Sequence, residues 1–404
     1  MFVRYGDHFI VPMFGQAMVT RSAESARAIL STEMKVYDKT EFVRLFDELL
    51  GQGLVTSDGE SWRRHRKAIG QTFKSGAIRQ MVRSMEPRLN HWVDTLLDGG
   101  TRLNGYAVTR EVTLQLVGDA LIGVQEAEQV LLLNTTELFL QRLSKTVGPL
   151  SIRWLNPLAE MRLKRMITKT DEMLYALIEA RRSTAETGED LISLLLRTRE
   201  DDGTPAFSKR EIRDETMTFV SAGYETTASA LTWALILLAQ HQEIQDAFAA
   251  QVADLGATPS LDTIDQIPLA EQVFKEALRL YPPTWALVRR ANEQTELEGV
   301  AVPVGRLVAV ALYDLHRSGV HWPEPDVFRP SRFTQKPERF TYLPFSTGGR
   351  GCIGQQLALS QGALTLACLM GRYRFTLVPG QTLEPRAEIL IRPPKRVLFD
   401  VTPR

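Results

Sequence analysis

Apolar positions recur with helical spacing through 61–73, 77–98, 109–122, 126–147 and 157–182, and each stretch is expected to form a helix. Pro149 and Pro157 bracket the break between the last two. Gly188–Thr198 predicts a further helix after a polar turn. Ser208-Lys209-Arg210-Glu211 is a capping box. It opens a pattern that runs to Ala239, about 48 Å of helix at 1.5 Å per residue. Helices over 241–254 and 269–281 follow. Ahead of all these, 8–13 and 16–20 read as a hairpin and Ser22–Leu30 as a short capped helix. The pattern changes after Pro282-Pro283. Short β-like runs at 286–290, 295–303 and 306–312 lead into a proline-rich irregular stretch, 322–344. A glycine-rich loop, an apolar helix over 355–371 and a tail of strands and turns over 372–402 complete the chain. The expected fold is mainly α with a smaller β-rich part. Without a repeat, linker or low-complexity segment, residues 1–404 are expected to form one domain.

Composition narrows the function classes. Lys+Arg and Asp+Glu both count 48 of 404 residues, so net charge offers nothing for nucleic acid. The two cysteines, 352 and 368, exclude a disulfide framework. On one helix, sixteen residues would separate them by about 24 Å, too far to bridge. Low cysteine use fits a reducing compartment, and a cytoplasmic location is expected. Arg4 and Asp7 interrupt any early apolar run of the signal-peptide kind. The longest apolar stretch, Ala228–Ala239, contains Ser229 and Thr232 and is too short to span a bilayer.

Four groups of residues carry candidate chemistry. Cys352 lies in Phe345-Ser-Thr-Gly348-Gly-Arg350-Gly-Cys352-Ile-Gly354, just before the helix over 355–371. A helix N-terminus and Arg350 both favour an anionic sulfur. A lone cysteine here would read as a buried residue in a glycine turn. The five spaced positions together should arise by chance in roughly one chain in ten thousand. Second, Glu225 is the one charged residue between Thr216 and Gln242. A carboxylate inside an apolar helix must be paired, ligating or catalytic, and alone it also fits a structural salt bridge. Gly223 beside it costs close to 1 kcal/mol against alanine and implies a packing or functional reason, such as a kink. Third, Glu276 and Arg279 share a helix face before Tyr281-Pro282-Pro283. Fourth, Trp62 and Arg66 share a face of the helix over 61–73 and present donors suited to carboxylates. Arg63, Arg64, Lys67, Arg79 and Arg83 make that region basic, which fits either a solvated face or a docking patch.

The pattern Phe-x-x-Gly-x-Arg-x-Cys-x-Gly resembles the haem-thiolate loop of the cytochrome P450 family, and the organisation matches that family almost end to end. The resemblance implies a long central helix across a haem b. It implies that Cys352 is the axial iron ligand and that Phe345, Gly348 and Gly354 shape its loop. Arg350, Trp62, Arg66 and Arg289 are then propionate contacts, with Arg290 the competing choice for the last, and with His65 and His316 as further candidates. Ala222-Gly223-x-Glu225-Thr226 is similar to the oxygen-activation motif, with Glu225 the acid, Thr226 the alcohol, and Ala222 and Gly223 against the cofactor. Glu276, Arg279 and Arg332 match a structural charge network. Segments 36–58, Phe219–Ala222, Thr284–Val288 and Glu388–Ile391 face the substrate by family position, giving Phe219, Val220, Thr284, Trp285, Leu287 and Leu390 as pocket residues. The chain opens on a strand-like segment where the family has a proline-rich lead-in and a further short helix, so its true N-terminus is left open.

The implied function is a monooxygenase that inserts one oxygen atom from O2 into a hydrophobic small molecule, by hydroxylation or epoxidation. No flavin or nicotinamide fingerprint and no cluster-binding cysteine set is present. A separate ferredoxin- or flavodoxin-type donor with its reductase is therefore expected, and the chain is expected to be a monomer. A peroxygenase and a non-enzymatic haem-binding sensor remain as alternatives, and the intact Glu225-Thr226 pair argues against both.

Overall fold

The computed structural model describes residues 2–12, 16–97, 100–123, 126–147, 157–183, 188 and 190–404. Pro149 and residue 13 of the expected hairpin lie outside them. The helices are α1 (Phe2–Tyr5), α2 (Ala23–Arg27), α3 (Asp47–Leu50), α4 (Gly59–Thr72), α5 (Ser75–Thr95), α6 (Gly105–Ile122), α7 (Glu126–Val147), α8 (Pro157–Arg182), α9 (Leu191–Arg197), α10 (Lys209–Gln240), α11 (Gln242–Asp254), α12 (Pro268–Leu280), α13 (Leu312–Leu315) and α14 (Gln355–Arg372). The strands are β1 (His8–Val11), β2 (Ala17–Thr20), β3 (Tyr37–Asp38), β4 (Arg102–Asn104), β5 (Ala286–Ala291), β6 (Thr295–Leu297), β7 (Val300–Val302), β8 (Leu307–Ala311), β9 (Tyr373–Leu377), β10 (Arg386–Ala387), β11 (Ile391–Arg392) and β12 (Leu398–Pro403). The molecule is mainly α with a smaller β part, as the pattern predicts.

Helix α10 is the axis of the molecule. Ser208 caps it, its side chain accepting from the Glu211 N–H at 3.3 Å while Glu211 accepts from the Ser208 N–H at 2.7 Å. Its neighbour α6 starts four residues earlier than expected. The cause is long-range: β4 pairs with β12, and the Gly105 N–H donates to the Val397 carbonyl at 2.8 Å. The turns α1 and α13 carry too little periodicity to be read from sequence. One apolar core surrounds α10, with Trp233, Phe274 and Leu366 among its fully buried side chains. A second core, built on Met18, Ile29, Tyr37, Val308 and Val310, fills the β part. There β2 runs parallel to β8, and β5 antiparallel to it, so that Leu287 pairs with Val310 and Arg289 with Val308. This sheet delivers Arg289 to the site from the β side.

Candidate haem-thiolate site

The cysteine loop is set by its own backbone. The Cys352 N–H donates to the Phe345 carbonyl at 2.8 Å, closing the loop before α14 begins with Gly354 as its N-cap. Gly348 has φ +68°, and a Cβ there would lie 2.1 Å from the Leu30 carbonyl oxygen. The glycine is therefore required by the protein's own backbone. Phe345 packs on the main core. Cys352 is exposed although densely surrounded, so its sulfur faces an opening next to α14. Burial pushes its thiol up, while the Gly354 N–H and the Arg66 guanidinium pull it down. Cys368 is buried and unpaired, a core residue as expected.

A cluster of cations lies beside this loop. Arg350 pairs with Asp58, the N-cap of α4, and its guanidinium lies 4.4 Å from the centre of the Trp62 ring. Its Nε and one Nη stay buried without a hydrogen bond. Among the described residues Arg289 donates to the carbonyl of its neighbour Val288, at 2.9 Å. Burial and then repulsion by Arg350 hold it down to about 10. Lys39 donates to the carbonyls of Leu54, Val55 and Ser57 at 2.7–3.0 Å, and burial followed by Arg350 pulls it down to about 7. Burial also lowers Arg66, which the Cys352 sulfur partly offsets. Arg290 is instead bound to Glu41 and, at 2.9 Å, to the Gly305 carbonyl. Lys39 and Asp58 were not legible in the sequence. Asp58 carries a visible N-cap signal, but its partner lies 292 positions away.

Neither histidine is free for a propionate. His65 Nδ1 is 2.6 Å from Glu215 and Nε2 is 3.1 Å from Glu211. Burial opposes its charge, but the two carboxylates outweigh it and raise its pKa. His316 is buried, accepts the Leu343 N–H at 2.8 Å, and is driven down to about 3 by burial and Arg279. The basic region is largely neutralised: Arg64 pairs with Glu211, Lys67 with Asp201, and Arg79 and Arg83 with Asp262.

Between Ile212 and Ala239 every residue of α10 is buried except Ser221, Ala222, Gly223 and Thr226. These four form one open stretch midway along the helix. The helix runs without a break through Gly223. A Cβ on Gly223 would meet only Val117 at 3.8 Å, so packing does not demand the glycine. The Thr226 hydroxyl donates to the Ala222 carbonyl at 2.7 Å, which leaves its oxygen able to accept. Glu225 points the other way and is fully buried. Its Oε1 accepts from the Tyr106 hydroxyl and lies 3.0 Å from Arg392 Nε. Its Oε2 is 3.4 Å from Arg110 Nε and has no hydrogen bond. Burial and then the Glu225 charge raise both Tyr106 and Tyr224. The sequence implies a partner for Glu225 without identifying one.

The Glu276 network is built as a fork. Arg279 Nε and Nη2 reach the two Glu276 oxygens at 2.7 and 2.8 Å, and both residues are fully buried. Arg332 Nε lies 3.4 Å from Glu276. The expected pocket residues are divided. Trp285 is 43 % exposed and its indole N–H donates to the Glu388 carbonyl at 3.1 Å. Thr284 and Leu390 are half-buried, and Leu287 packs against the second core. Phe219 stacks on Phe73 at 4.8 Å. Val220 is only 1 % exposed within the main core, about 100° around the helix from Phe219, and so is core rather than pocket.

These residues fit a haem. A single sulfur faces an opening, buried guanidinium nitrogens stand unpaired among the described residues, and Arg289, Arg350 and Lys39 share the carboxylate of Asp58. A flat ligand with two carboxylates would relieve that repulsion. Bound there, Cys352 would hold the iron and Arg350, Arg289, Arg66 and Trp62 the propionates.

The cytochrome P450 family model matches residues 1–401. Cyclooctatin synthase of Streptomyces melanosporofaciens is 30 % identical over 84 % of this chain and 76 % of its own length. Cyclooctat-9-en-7-ol 5-monooxygenase of the same organism is 31 % identical over 86 % and 78 %. Pentalenene oxygenase of Streptomyces avermitilis is 28 % identical over 96 % and 88 %. Among solved structures, retinoic acid-bound cyanobacterial CYP120A1 matches with TM-score 0.87 at 26 % identity, covering 100 % of this chain and 93 % of its own. The cytochrome P450DA haem domain matches with TM-score 0.89 at 22 % identity over 98 % and 90 %, a likeness of fold. Among the described residues no helix is long and apolar enough to cross a membrane. The chain therefore belongs to the cytochrome P450 family: it is a haem b monooxygenase that uses O2, a hydrophobic substrate and electrons from redox partners.

Proposed function

We propose that the substrate is a lipophilic, terpene-like small molecule, oxygenated by hydroxylation or epoxidation beside the open stretch of α10. The names of the relatives support this class, as do the apolar segments around Trp285 and Leu287. The observation that carries the reading is the open stretch itself, where Thr226 presents a hydroxyl amid an otherwise buried helix. A haem held by Cys352 would supply the activation of dioxygen. Thr226 Oγ1 then orients a proton at the reacting side, and Glu225 Oε2 takes and releases that proton. Consecutive residues lie about 100° apart around a helix, so a bridging water or a swing of Glu225 must connect them. Ferredoxin- or flavodoxin-type electron supply is part of the proposal, supported by the lack of any flavin, nicotinamide or iron–sulfur motif. A single-domain, monomeric, cytoplasmic protein is proposed with it, the unpaired cysteines fitting a reducing compartment.

The test is Thr226→Ala under one surrogate electron supply with a terpene panel. Haem content and NADPH consumption should persist, product per NADPH should fall, and hydrogen peroxide should rise to match. Full coupling in this variant would overturn the role of Thr226. Peroxide-driven turnover equal to NADPH-driven turnover would favour a peroxygenase.

A further inference from the structure

We propose that Arg392 is a positioning residue for oxygenation: its guanidinium holds the Glu225 carboxylate and, through Glu388, the tail segment on which Trp285 rests. The inference rests on the reading of Glu225 as a proton carrier given above.

Arg392 is 3 % exposed and faces three carboxylates. Its Nε is 3.0 Å from Glu225 Oε1, one Nη is 3.2 Å from Glu388 Oε2, and the other is 3.5 Å from Glu137 Oε2. Arg386 holds the second Glu388 oxygen at 2.7 Å. The same segment is stitched to the turn before β5, because the Ile391 N–H donates to the Pro283 carbonyl at 2.8 Å and the Trp285 indole N–H to the Glu388 carbonyl at 3.1 Å. One buried fork thus ties the middle of α10 to the chain beside Trp285. A planar guanidinium can span Glu225 and Glu388 at once, whereas an ammonium is a single point. On the Glu225 side, Arg392 and Tyr106 both occupy Oε1. The other oxygen, Oε2, is left without a hydrogen bond, the atom from which a proton can be exchanged. Loss of the fork would leave Oε1 held by Tyr106 alone, with Arg110 3.4 Å from Oε2, and the carboxylate would turn more easily.

A purely neutralising role predicts that lysine suffices, and a positioning role predicts that it does not. Wild type, Arg392→Lys, Glu388→Gln, Glu225→Gln and the double variant Arg392→Lys/Glu225→Gln should be compared as haem-loaded proteins. The readouts are the carbon monoxide spectrum, the substrate-induced spin shift, product per NADPH and the solvent deuterium isotope effect on turnover. Arg392→Lys should keep the carbon monoxide band. Its product formation should fall about tenfold, a fraction of the 10²–10⁴-fold typical of a positioned proton-transfer group. Its isotope effect should rise, and it should add nothing in the Glu225→Gln background. Glu388→Gln, which loosens the fork without removing its charge, should move the same way and alter the spin shift. Wild-type coupling in Arg392→Lys, or a loss with an unchanged isotope effect, would overturn the proposal. If Arg392→Lys does not retain haem, wild-type coupling in Glu388→Gln overturns it. Normal turnover in Glu225→Gln would instead sink the underlying reading of Glu225.

Discussion

Replacing Glu276 with Leu and Arg279 with Met together should destabilise this protein, although such a swap often leaves an isolated buried ion pair unharmed. For an isolated pair, apolar replacement is neutral or stabilising by about 1–4 kcal/mol. This pair also holds backbone. Arg279 donates to the carbonyls of His316 at 2.8 Å, Pro325 at 2.7 Å and Val327 at 3.3 Å, and Glu276 accepts the Arg329 N–H at 2.9 Å. A buried polar group left unpaired costs about 1–3 kcal/mol. Leaving aside the long Val327 bond, three such groups cost about 3–9 kcal/mol together, which outweighs the zero to about 4 kcal/mol gained by the apolar swap over nearly all of that range. Each single variant strands a buried charge and should lose about 3–5 kcal/mol, against a total of about 5–15 kcal/mol for a typical domain. Urea unfolding followed by tryptophan fluorescence and haem absorbance is the assay. All three midpoints should fall, with no recovery in the double variant. A double variant with the wild-type midpoint would refute the view that the pair organises the chain over 316–329.

Cys352→Ser should abolish the red-shifted carbon monoxide band of thiolate ligation, whereas Cys368→Ser, buried in the core, should keep it; the reduced carbon monoxide spectrum decides. His65 is raised in the folded state by Glu215 and Glu211, so its stabilising contribution is complete below the ordinary imidazole value of about 6.5 and is lost as pH climbs through the raised one. Melting temperature should accordingly drop in wild type as pH rises above the ordinary imidazole value, and this component of the drop should vanish in His65→Gln. Trp285→Ala should change spin shifts or product distribution across a ligand panel without altering the carbon monoxide spectrum; unchanged binding and regiochemistry would place the indole outside the pocket.

By itself the sequence determines the elements and the identity of the chemistry. Apolar periodicity and the Ser208–Glu211 cap are local, so the long helix is legible to within a residue or two. The loop around Cys352 is legible because its spacing is contained in ten residues. The pair Glu276–Arg279 is legible because helical spacing places both on one face. What surrounds them is decided only by tertiary structure. Glu225 announces a buried charge, yet its partners Tyr106, Arg110 and Arg392 come from α6 and from the tail. Arg350 announces a cation, yet its partner Asp58 lies 292 positions away, and the repelling Lys39 lies farther still along the chain. Val220 has the composition of a pocket residue, and only the direction of its side chain on α10 makes it core. The same holds for the open stretch of Ser221, Ala222, Gly223 and Thr226, since which face of an apolar helix stays uncovered depends on the elements that pack around it. Period and capping act over a few residues through the backbone. Burial and charge pairing act through space, between residues whose separation along the chain carries no information about their distance.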